Sequence, residues 1–446
     1  MVIRPIPRLI FLPVLLLGTA PIGFGRLSAC CEVPPAVGSP AKTRVVWPSP
    51  PEQARVAYAA SLSSERDIGR RASGFARLRQ MLAGTQENVM FVQRPLDVAV
   101  DRASRVYISD GSRRQVLVFD PQARAARTLG VTGPGRLIKP MGIGLDNHSN
   151  IYVADQGGKR VVAFSAEGTF IRAYGSDAIF INPVDVAVDT TAGIVYVADS
   201  YLHEVLAFRQ RDAQLLHRIG RHAGDVTAKQ RLSGPMVAAH RSGDGDSVIQ
   251  TGAADSVARA GKSKGSNDAD SAMRAVVGHA SNYTSEPRDI VANRGTGPGE
   301  FRYPSFLAVA PDGTVYVSDA LNFRVQAFDR AGRYLRQVGQ LGDGPGAFAR
   351  PKGIGVDSEG HLYVADAAFN NVQIFDEKGR VLMQFGNLGR GAGEMWLPLG
   401  LFVDQNDRIY VADRYNNRVQ IFEYLRSAGT TNGSNGSTRS SGEPRE

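Results

Sequence analysis

The chain contains 446 residues, of which 43% are hydrophobic and 21% are charged. Enough apolar residues are present for a sizeable core, so the composition excludes wholesale disorder. The formal net charge of +9 comes from 52 Lys and Arg against 43 Asp and Glu, an excess too mild to indicate nucleic-acid binding by itself. The two cysteines are Cys30 and Cys31. The chain after them therefore cannot hold a disulfide scaffold, a zinc ribbon or a cysteine nucleophile.

The amino terminus has the features of an export signal. Residues 9–20 form an apolar run that is preceded by arginines and by no acidic residue. This run is shorter than the ~20 residues that span a bilayer, and it has the length of the apolar region of a signal peptide. The following Leu27-Ser28-Ala29-Cys30 resembles the bacterial lipobox, although Arg26 beside it departs from the usual pattern. The resemblance implies cleavage before Cys30 and a diacylglycerol on its sulfur. The alternatives are an ordinary secreted protein and an uncleaved anchor.

These features place the protein in the cell envelope, with membrane lipid as a partner through acylated Cys30. The next residue is Cys31 and not Asp, which by the rule of lipoproteins favours the outer membrane, facing the periplasm or the cell surface. Residues 31–51 contain six prolines and few apolar runs. We expect this part of the chain to be an extended tether.

One sequence phrase recurs six times between residues 91 and 423. Each copy begins with a proline, continues to a segment such as Tyr-Val-Ala-Asp, and then has an apolar run that ends in Phe; five copies add a fourth run that ends in Gly. Four short alternating runs in each repeat predict a four-stranded blade of a β-propeller. The prolines are Pro95, Pro140, Pro183, Pro304, Pro351 and Pro398, and the aspartates that end the second run are Asp110, Asp155, Asp199, Asp319, Asp366 and Asp413.

The repeats resemble the NHL family. The residues that carry the resemblance are Pro-Lys-Gly-Ile-Gly-Val-Asp at 351–357, Leu-Tyr-Val-Ala-Asp at 362–366, and Asn-Asn-Arg-Val-Gln-Ile-Phe at 416–422. Gly-Pro-Gly linkers at 297–299 and 344–346 match as well. The resemblance implies an all-β fold, a six-bladed β-propeller around a central channel.

Two segments before the first repeat have separate predicted roles. The sixth repeat lacks a fourth run, and residues 55–62 alternate as a strand does. We expect residues 54–62 to form the outer strand of the last blade and to cover its edge. Residues 73–84 are predicted to form a short helix that begins at Ser73 and stops at Gly84, packed across the propeller. The alternative is a basic patch at anionic lipid heads.

An insertion separates the third repeat from the fourth. Its one aromatic residue is Tyr283, and small and polar residues dominate, so we expect disorder. The Gly- and Ser-rich tail has the same prediction. The expected organisation is a lipoprotein signal peptide at 1–29, lipidated cysteine and Pro-rich tether at 30–53, closing strand and short helix at 54–90, blades 1–3 at 91–220, low-complexity insertion at 221–294, blades 4–6 at 295–426 and a disordered tail at 427–446.

Candidate binding residues are those that break the repeat. The aspartates that end the second runs recur in every copy and are expected to accept backbone N–H bonds. Two positions after the proline, three copies have Gly, whereas the others have Asp97, Asp185 and Phe306. We expect these three residues and Lys352 to form a binding site at one mouth of the channel. The alternative is that Asp is a common replacement for Gly there. Asp97 and Asp185 belong to blades 1 and 3 and need not be in contact.

The sequence favours a scaffold over an enzyme. It contains no Gly-x-Ser-x-Gly elbow, P-loop or dinucleotide fingerprint, and none of its seven histidines falls on a predicted innermost strand. We therefore expect no catalytic residue, metal ligand or cofactor. The predicted function is a monomeric, membrane-anchored scaffold that binds an envelope protein, a peptide or a glycan, and no nucleic acid. The alternative is a propeller enzyme, a metal-dependent lyase or lactonase-like hydrolase with calcium or zinc in the channel. A third possibility is a purely structural envelope component.

Overall fold

Six antiparallel sheets arranged as propeller blades make up the described part of the protein. The structure is a computed structural model that describes residues 44–69, 89–220 and 294–426. Its fold is all-β, and the six-bladed propeller that the repeats predict is confirmed. Within these three ranges there is no α-helix, and two single 3-10 turns occupy Ala320–Asn322 and Arg414–Asn416.

Each of the first five blades consists of four strands that are consecutive in the chain. Blades 1 to 5 are formed by β3–β6, β7–β10, β11–β14, β15–β18 and β19–β22, and blade 6 by β25–β27 with β2 and β1; β23 and β24 are a short parallel pair. The strands are β1 (Val46–Trp47), β2 (Val56–Leu62), β3 (Pro95–Val100), β4 (Val106–Asp110), β5 (Val116–Asp120), β6 (Ala125–Leu129), β7 (Pro140–Leu145), β8 (Ile151–Asp155), β9 (Arg160–Phe164), β10 (Phe170–Tyr174), β11 (Pro183–Asp189), β12 (Ile194–Asp199), β13 (Glu204–Arg209), β14 (Leu215–Ile219), β15 (Pro304–Val309), β16 (Val315–Asp319), β17 (Arg324–Phe328), β18 (Tyr334–Val338), β19 (Pro351–Val356), β20 (Leu362–Asp366), β21 (Asn371–Phe375), β22 (Val381–Phe385), β23 (Asn387–Leu388), β24 (Glu394–Met395), β25 (Pro398–Val403), β26 (Arg408–Asp413) and β27 (Arg418–Tyr424).

The innermost strands close into a ring. Strand β3 contacts β7, and the contacts continue through β11, β15 and β19 to β25, which contacts β3 again. The repeat prolines therefore surround one mouth of the central channel, because every innermost strand begins with one of them. The last residues of the same strands surround the opposite mouth.

The hydrophobic core lies in the seams between neighbouring blades. In blade 1, Tyr107 packs in the seam toward blade 2, whereas the next residue, Ile108, packs in the seam toward blade 6. Successive side chains of a strand point to opposite faces of the sheet, so both faces of the second strands are buried. A single blade would expose both faces, and only the closed ring buries them.

The last blade is completed by residues from the other end of the chain. Strand β2 pairs antiparallel with β27, from Val56 opposite Tyr424 to Leu62 opposite Val419. This is the position that the alternating pattern of residues 55–62 predicts. The ring of Trp47 in β1 lies 5.8 Å from those of Phe385 and Phe422. The pairing covers the edge of β27, which would otherwise be free to pair with another chain.

Several predicted segments lie outside the described residues. These are the signal peptide and Cys30, the tether up to residue 43, the short helix at 73–84, nearly all of the insertion, and the tail. Within 44–69, 89–220 and 294–426, no helix has the length and apolar character needed to cross a bilayer.

Removing contacts of β2 is expected to destabilise the whole propeller. Leu62 is buried in the seam between blades 6 and 1, so Leu62→Ala should lower the free energy of unfolding by about 2 to 5 kcal/mol. Deleting residues 54–62 should lower the Tm further. Ala59→Ser is the control, because Ala59 is exposed, and it should change stability by less than about 0.5 kcal/mol. Thermal unfolding of the four proteins checks this, and an unchanged Tm after the deletion would refute it.

Candidate binding site at the channel mouth

A buried aspartate at the end of the second strand positions the loop before each innermost strand. In blade 5, Asp366 accepts N–H bonds from Ala349 at 2.8 Å and Arg350 at 3.0 Å, and from Ala368 at 2.8 Å in the next turn. The other blades contain at least one such bond to the same loop. These carboxylates therefore have a structural role in every blade.

The loops held in this way form one face of the propeller, the strand-start face. It consists of the loops before the repeat prolines and of the turns after the second strands. The loops are residues 91–94, 136–139, 179–182, 300–303, 347–350 and 394–397, and the turns are residues 111–115, 156–159, 200–203, 320–323, 367–370 and 414–417.

Asp97 and Asp185 lie in the seams beside the channel. Asp97 of blade 1 accepts the N–H of Ile143 in blade 2 at 2.7 Å, and Asp185 of blade 3 accepts the N–H of Leu307 in blade 4 at 2.7 Å. Each carboxyl therefore connects its blade to the next one. Both side chains are buried, with 5% and 3% of their surface exposed.

The glycines of the repeat provide space for these carboxyls. A Cβ at Gly400 of blade 6 would overlap Oδ1 of Asp97, and a Cβ at Gly142 of blade 2 would overlap Oδ1 of Asp185. A Cβ at Gly353 would instead meet the backbone of blade 6. Each of the two aspartates therefore fills the space that a glycine of the preceding blade leaves.

The two carboxyls interact electrostatically across blade 2. Burial raises the pKa of Asp97 to about 7, although N–H bonds from Ile143 and Val98 oppose the shift. Burial, and then the charge of Asp97, raise the pKa of Asp185 well above its usual range. The structure thus brings these two residues close enough to influence each other, although they belong to non-adjacent blades.

Phe306 and Lys352 lie on blades 4 and 5, and neither shares a blade with Asp97 or Asp185. Phe306 of blade 4 is half-buried and packs against the core of the seam between blades 4 and 5. Lys352 is half-buried at the start of β19 in blade 5. Its pKa is lowered to about 8 by burial and then by the charge of Arg350. The four predicted site residues therefore comprise a pair, Asp97 and Asp185, and two residues on other blades.

Aromatic and cationic side chains come together on the strand-start face near Lys352. Trp396 and Tyr415 of blade 6 are half-buried, and their ring centroids lie 5.8 Å apart. The guanidinium of Arg390 lies over the Trp396 ring at 5.2 Å, and that of Arg414 lies over the Tyr415 ring at 5.9 Å. Such rings and guanidinium groups are the side chains most enriched at binding hot spots.

Other blades add apolar and aromatic groups to the same face. Ile138 and Ile181 occupy equivalent loop positions in blades 2 and 3, and both are exposed. Tyr201 and Tyr303 are half-buried, with ring centroids 5.9 Å apart. The sequence analysis missed these residues and Trp396. Their shared position, one or two residues before the proline or in the turn after the second strand, is the signal that could have identified them.

The opposite mouth of the channel contains a cavity of about 280 Å3 that blades 3, 4, 5 and 6 line. Two of its acidic residues are already occupied, since Asp357 accepts the O–H of Tyr363 at 3.0 Å and Asp404 that of Tyr410 at 3.1 Å. The apolar lining includes Val188, Val309, Val356 and Val403, with Thr190, Thr191, Ser358 and Gln405 among the polar residues.

Histidine has a structural role next to the strand-start face. Nδ1 of His203 accepts the backbone N–H of Tyr303 at 3.1 Å and so connects blade 3 to blade 4. Burial, and then the charge of Arg294, lower the pKa of His203 to about 4. In the part of the chain that the structure describes, no three His, Cys, Asp or Glu side chains are grouped so as to hold a metal ion.

Two family models match parts of the chain. Residues 395–422 match the NHL repeat, and residues 307–368 match a family described as 6-bladed beta-propeller. No curated protein matches the sequence. The first match ends at the last residue of the Asn-Asn-Arg-Val-Gln-Ile-Phe segment at 416–422, so the resemblance to NHL repeats is confirmed.

Solved structures with a similar fold include enzymes and a protein of unknown function. A streptogramin B lyase has 9% identity and a TM-score of 0.44, over 74% of this chain and 78% of that one. A structural genomics protein of unknown function from Bacteroides thetaiotaomicron has 14% identity and a TM-score of 0.48, over 74% and 70%. Virginiamycin B lyase from Staphylococcus aureus has 10% identity and a TM-score of 0.43, over 75% and 96%. These similarities are too low to transfer an activity.

The stability contributed by Asp97 is expected to depend on pH. Its folded-state pKa of about 7 lies above the ordinary value of 3.8, so the folded protein binds the proton more tightly. The stabilisation is present at low pH and is lost as the pH rises through about 7. Asp97→Asn should match the wild type at pH 4 and gain on the order of 3 kcal/mol relative to it at pH 8.

Unfolding of both proteins at the two pH values measures this difference. Asp343→Asn is the matched control, because Asp343 is exposed in a loop, and it should show no such gain. Equal destabilisation by Asp97→Asn at pH 4 and pH 8 would show that the carboxyl is ionised in the folded protein.

Proposed function

We propose that this chain, a six-bladed β-propeller whose residues 395–422 match the NHL repeat, is a lipid-anchored binding scaffold of the cell envelope. In this role, the rigid ring presents its strand-start face to an envelope protein, a peptide or a glycan. The ring buries its core in the seams, so the loops of this face can vary without loss of the fold.

The observation that carries this proposal is the chemistry of the strand-start face. Trp396, Tyr415 and the exposed Ile138 and Ile181 lie on it together with cationic side chains. Arg350 and Lys352 form no ion pair with another described residue, so their charges are available to a ligand. Exposed apolar groups that are bordered by polar ones mark interaction surfaces.

The anchor is supported by the amino-terminal sequence. A short apolar run is followed by Leu27-Ser28-Ala29-Cys30, and a proline-rich segment separates this cysteine from the first described strand. Two or three acyl chains on one residue hold a protein on a membrane far better than one. Such an anchor would confine the propeller to the envelope, where its binding partner is expected.

A propeller enzyme is the second candidate, and one observation favours it. Asp97 and Asp185 are buried carboxyls with raised pKa values that influence each other beside the channel. Carboxyls whose pKa values are shifted by burial and by a neighbouring charge are common in active sites. Against this, each carboxyl already accepts a hydrogen bond from a backbone N–H of the next blade.

Elemental analysis of the purified protein after dialysis against a weak chelator separates the two candidate functions. One bound calcium or zinc per chain would support the enzyme.

The anchor predicts that Cys30 carries the acyl chains. Labelled palmitate should be incorporated into the wild type in cells and should be lost from Cys30→Ala, because the sulfur is the acylated atom. Cys31→Ala is the matched control and should retain the label. Equal labelling of wild type and Cys30→Ala would refute lipidation at this residue.

The scaffold predicts that partners are bound at one face. A photo-crosslinking amino acid at Ile138 or Ile181 should give a defined adduct in intact cells, since both residues are exposed on the strand-start face. The same amino acid at Glu377 is the control, because Glu377 is exposed in the turn between β21 and β22 at the opposite end of the blade. Adducts of equal yield from all three positions, or from none, would contradict the proposal.

A further inference from the structure

Lys352 is the one charged residue among the six that follow the repeat prolines at the channel mouth. The residues directly after the repeat prolines are the second residues of the innermost strands, so they surround this mouth. All of them are half-buried or buried, and one of the six is charged. They are Leu96, Met141, Val184, Ser305, Lys352 and Leu399.

The surroundings of Lys352 leave its charge without a counter-ion. Arg350 and Arg414 are near enough to lower its pKa, and the one acid that raises it is Asp366. Asp366 is already occupied by backbone N–H groups of the loop and the turn. Lys352 forms no ion pair with any residue in the described ranges. A half-buried cation among other cations is costly, and a bound anion would offset that cost.

The fold does not require a cation at this position. Met141 and Leu399 occupy it in blades 2 and 6, and both blades have the same innermost strand with a Gly two positions after the proline. The charge of Lys352 is thus a departure from the repeat and is not needed by the seam. A residue that breaks a repeat without a structural need is a candidate for ligand contact.

The neighbours of Lys352 define the chemistry of the ligand. Uncharged side chains make up the rest of the ring, and Leu399 follows in the next blade. We infer that the channel mouth binds a carboxylate carried on an apolar body, with Lys352 as its counter-ion and the ring in contact with the apolar part. This inference rests on the proposed binding function and specifies one ligand class for it. Two sources share this chemistry, namely the free C-terminus of a peptide with an apolar last residue and a short fatty acid.

Isothermal titration of the purified full chain tests this inference. The probes are hexanoate and the peptide acetyl-Ala-Ala-Leu with a free carboxylate, each compared with its amide. At least one carboxylate should bind, and its amide should bind about tenfold more weakly or not at all. Binding of the peptide alone, or of hexanoate alone, identifies the source.

Variants connect the binding to one residue. Lys352→Met should weaken carboxylate binding about tenfold and leave the Tm unchanged, because Met stands at the same position in blade 2. Lys159→Gln is the matched control, since Lys159 is an exposed cation on the same face, and it should bind as the wild type does. If Lys352→Met unfolds, the pair of carboxylate and amide probes still tests the need for the charge on the wild type.

Several results would overturn the inference. They are equal binding of carboxylate and amide, unchanged affinity in a folded Lys352→Met, tighter binding of inorganic phosphate than of either carboxylate, and no binding of either carboxylate. Crosslinking at Ile138 and Ile181 does not depend on Lys352. An adduct there without carboxylate binding would overturn this inference and leave the scaffold proposal standing.

Discussion

The bond between a buried carboxylate and the loop before the innermost strand is the interaction on which the rest of this propeller depends. In blade 5, Asp366 holds the N–H groups of Ala349 and Arg350, and every other blade has an equivalent aspartate. The ends of sheets leave backbone N–H groups unpaired, and burying them without partners is costly. One carboxylate in each blade satisfies at least one of these groups and fixes the loop that leads into the ring.

The same interaction explains how the side chains of the strand-start face can differ between blades while the core repeats. In blade 6, Asp413 accepts the N–H of Trp396 at 2.8 Å, while the side chain of Trp396 is left to contact Arg390 and Tyr415. The backbone of each loop is held, whereas the side chain at that position differs from blade to blade. Recognition chemistry can therefore change there without loss of the fold.

Packing in the seams between blades is a second constraint, because it buries some polar residues that would otherwise be available to a ligand. Asp97 and Asp185 depart from the repeat, yet each carboxyl accepts an N–H of the next blade and lies against a glycine of the preceding one. Their raised pKa values follow from this burial. Lys352 departs from the repeat in a different way, because the equivalent residues of other blades are uncharged and no seam needs its charge. The departures at Asp97 and Asp185 are thus explained by packing between blades, whereas the departure at Lys352 marks a candidate ligand contact.

The sequence by itself determined the four-stranded blade and the number of blades. Each strand is a short alternating run, and the repeated proline, Asp and Phe recur at nearly constant spacing. It also indicated the closing strand, since residues 55–62 alternate and the sixth repeat lacks a fourth run. Tertiary structure decided which residues share a site. Asp97 and Asp185 are distant in sequence and on non-adjacent blades, and only the packing of blade 2 between blades 1 and 3 brings both of them beside Gly142 and Ile143. Likewise, Lys352 of blade 5 and Arg414 of blade 6 come near each other because the start of one blade packs against the turn of the next. That juxtaposition depends on the seams, and a pattern within one repeat contains no information about them.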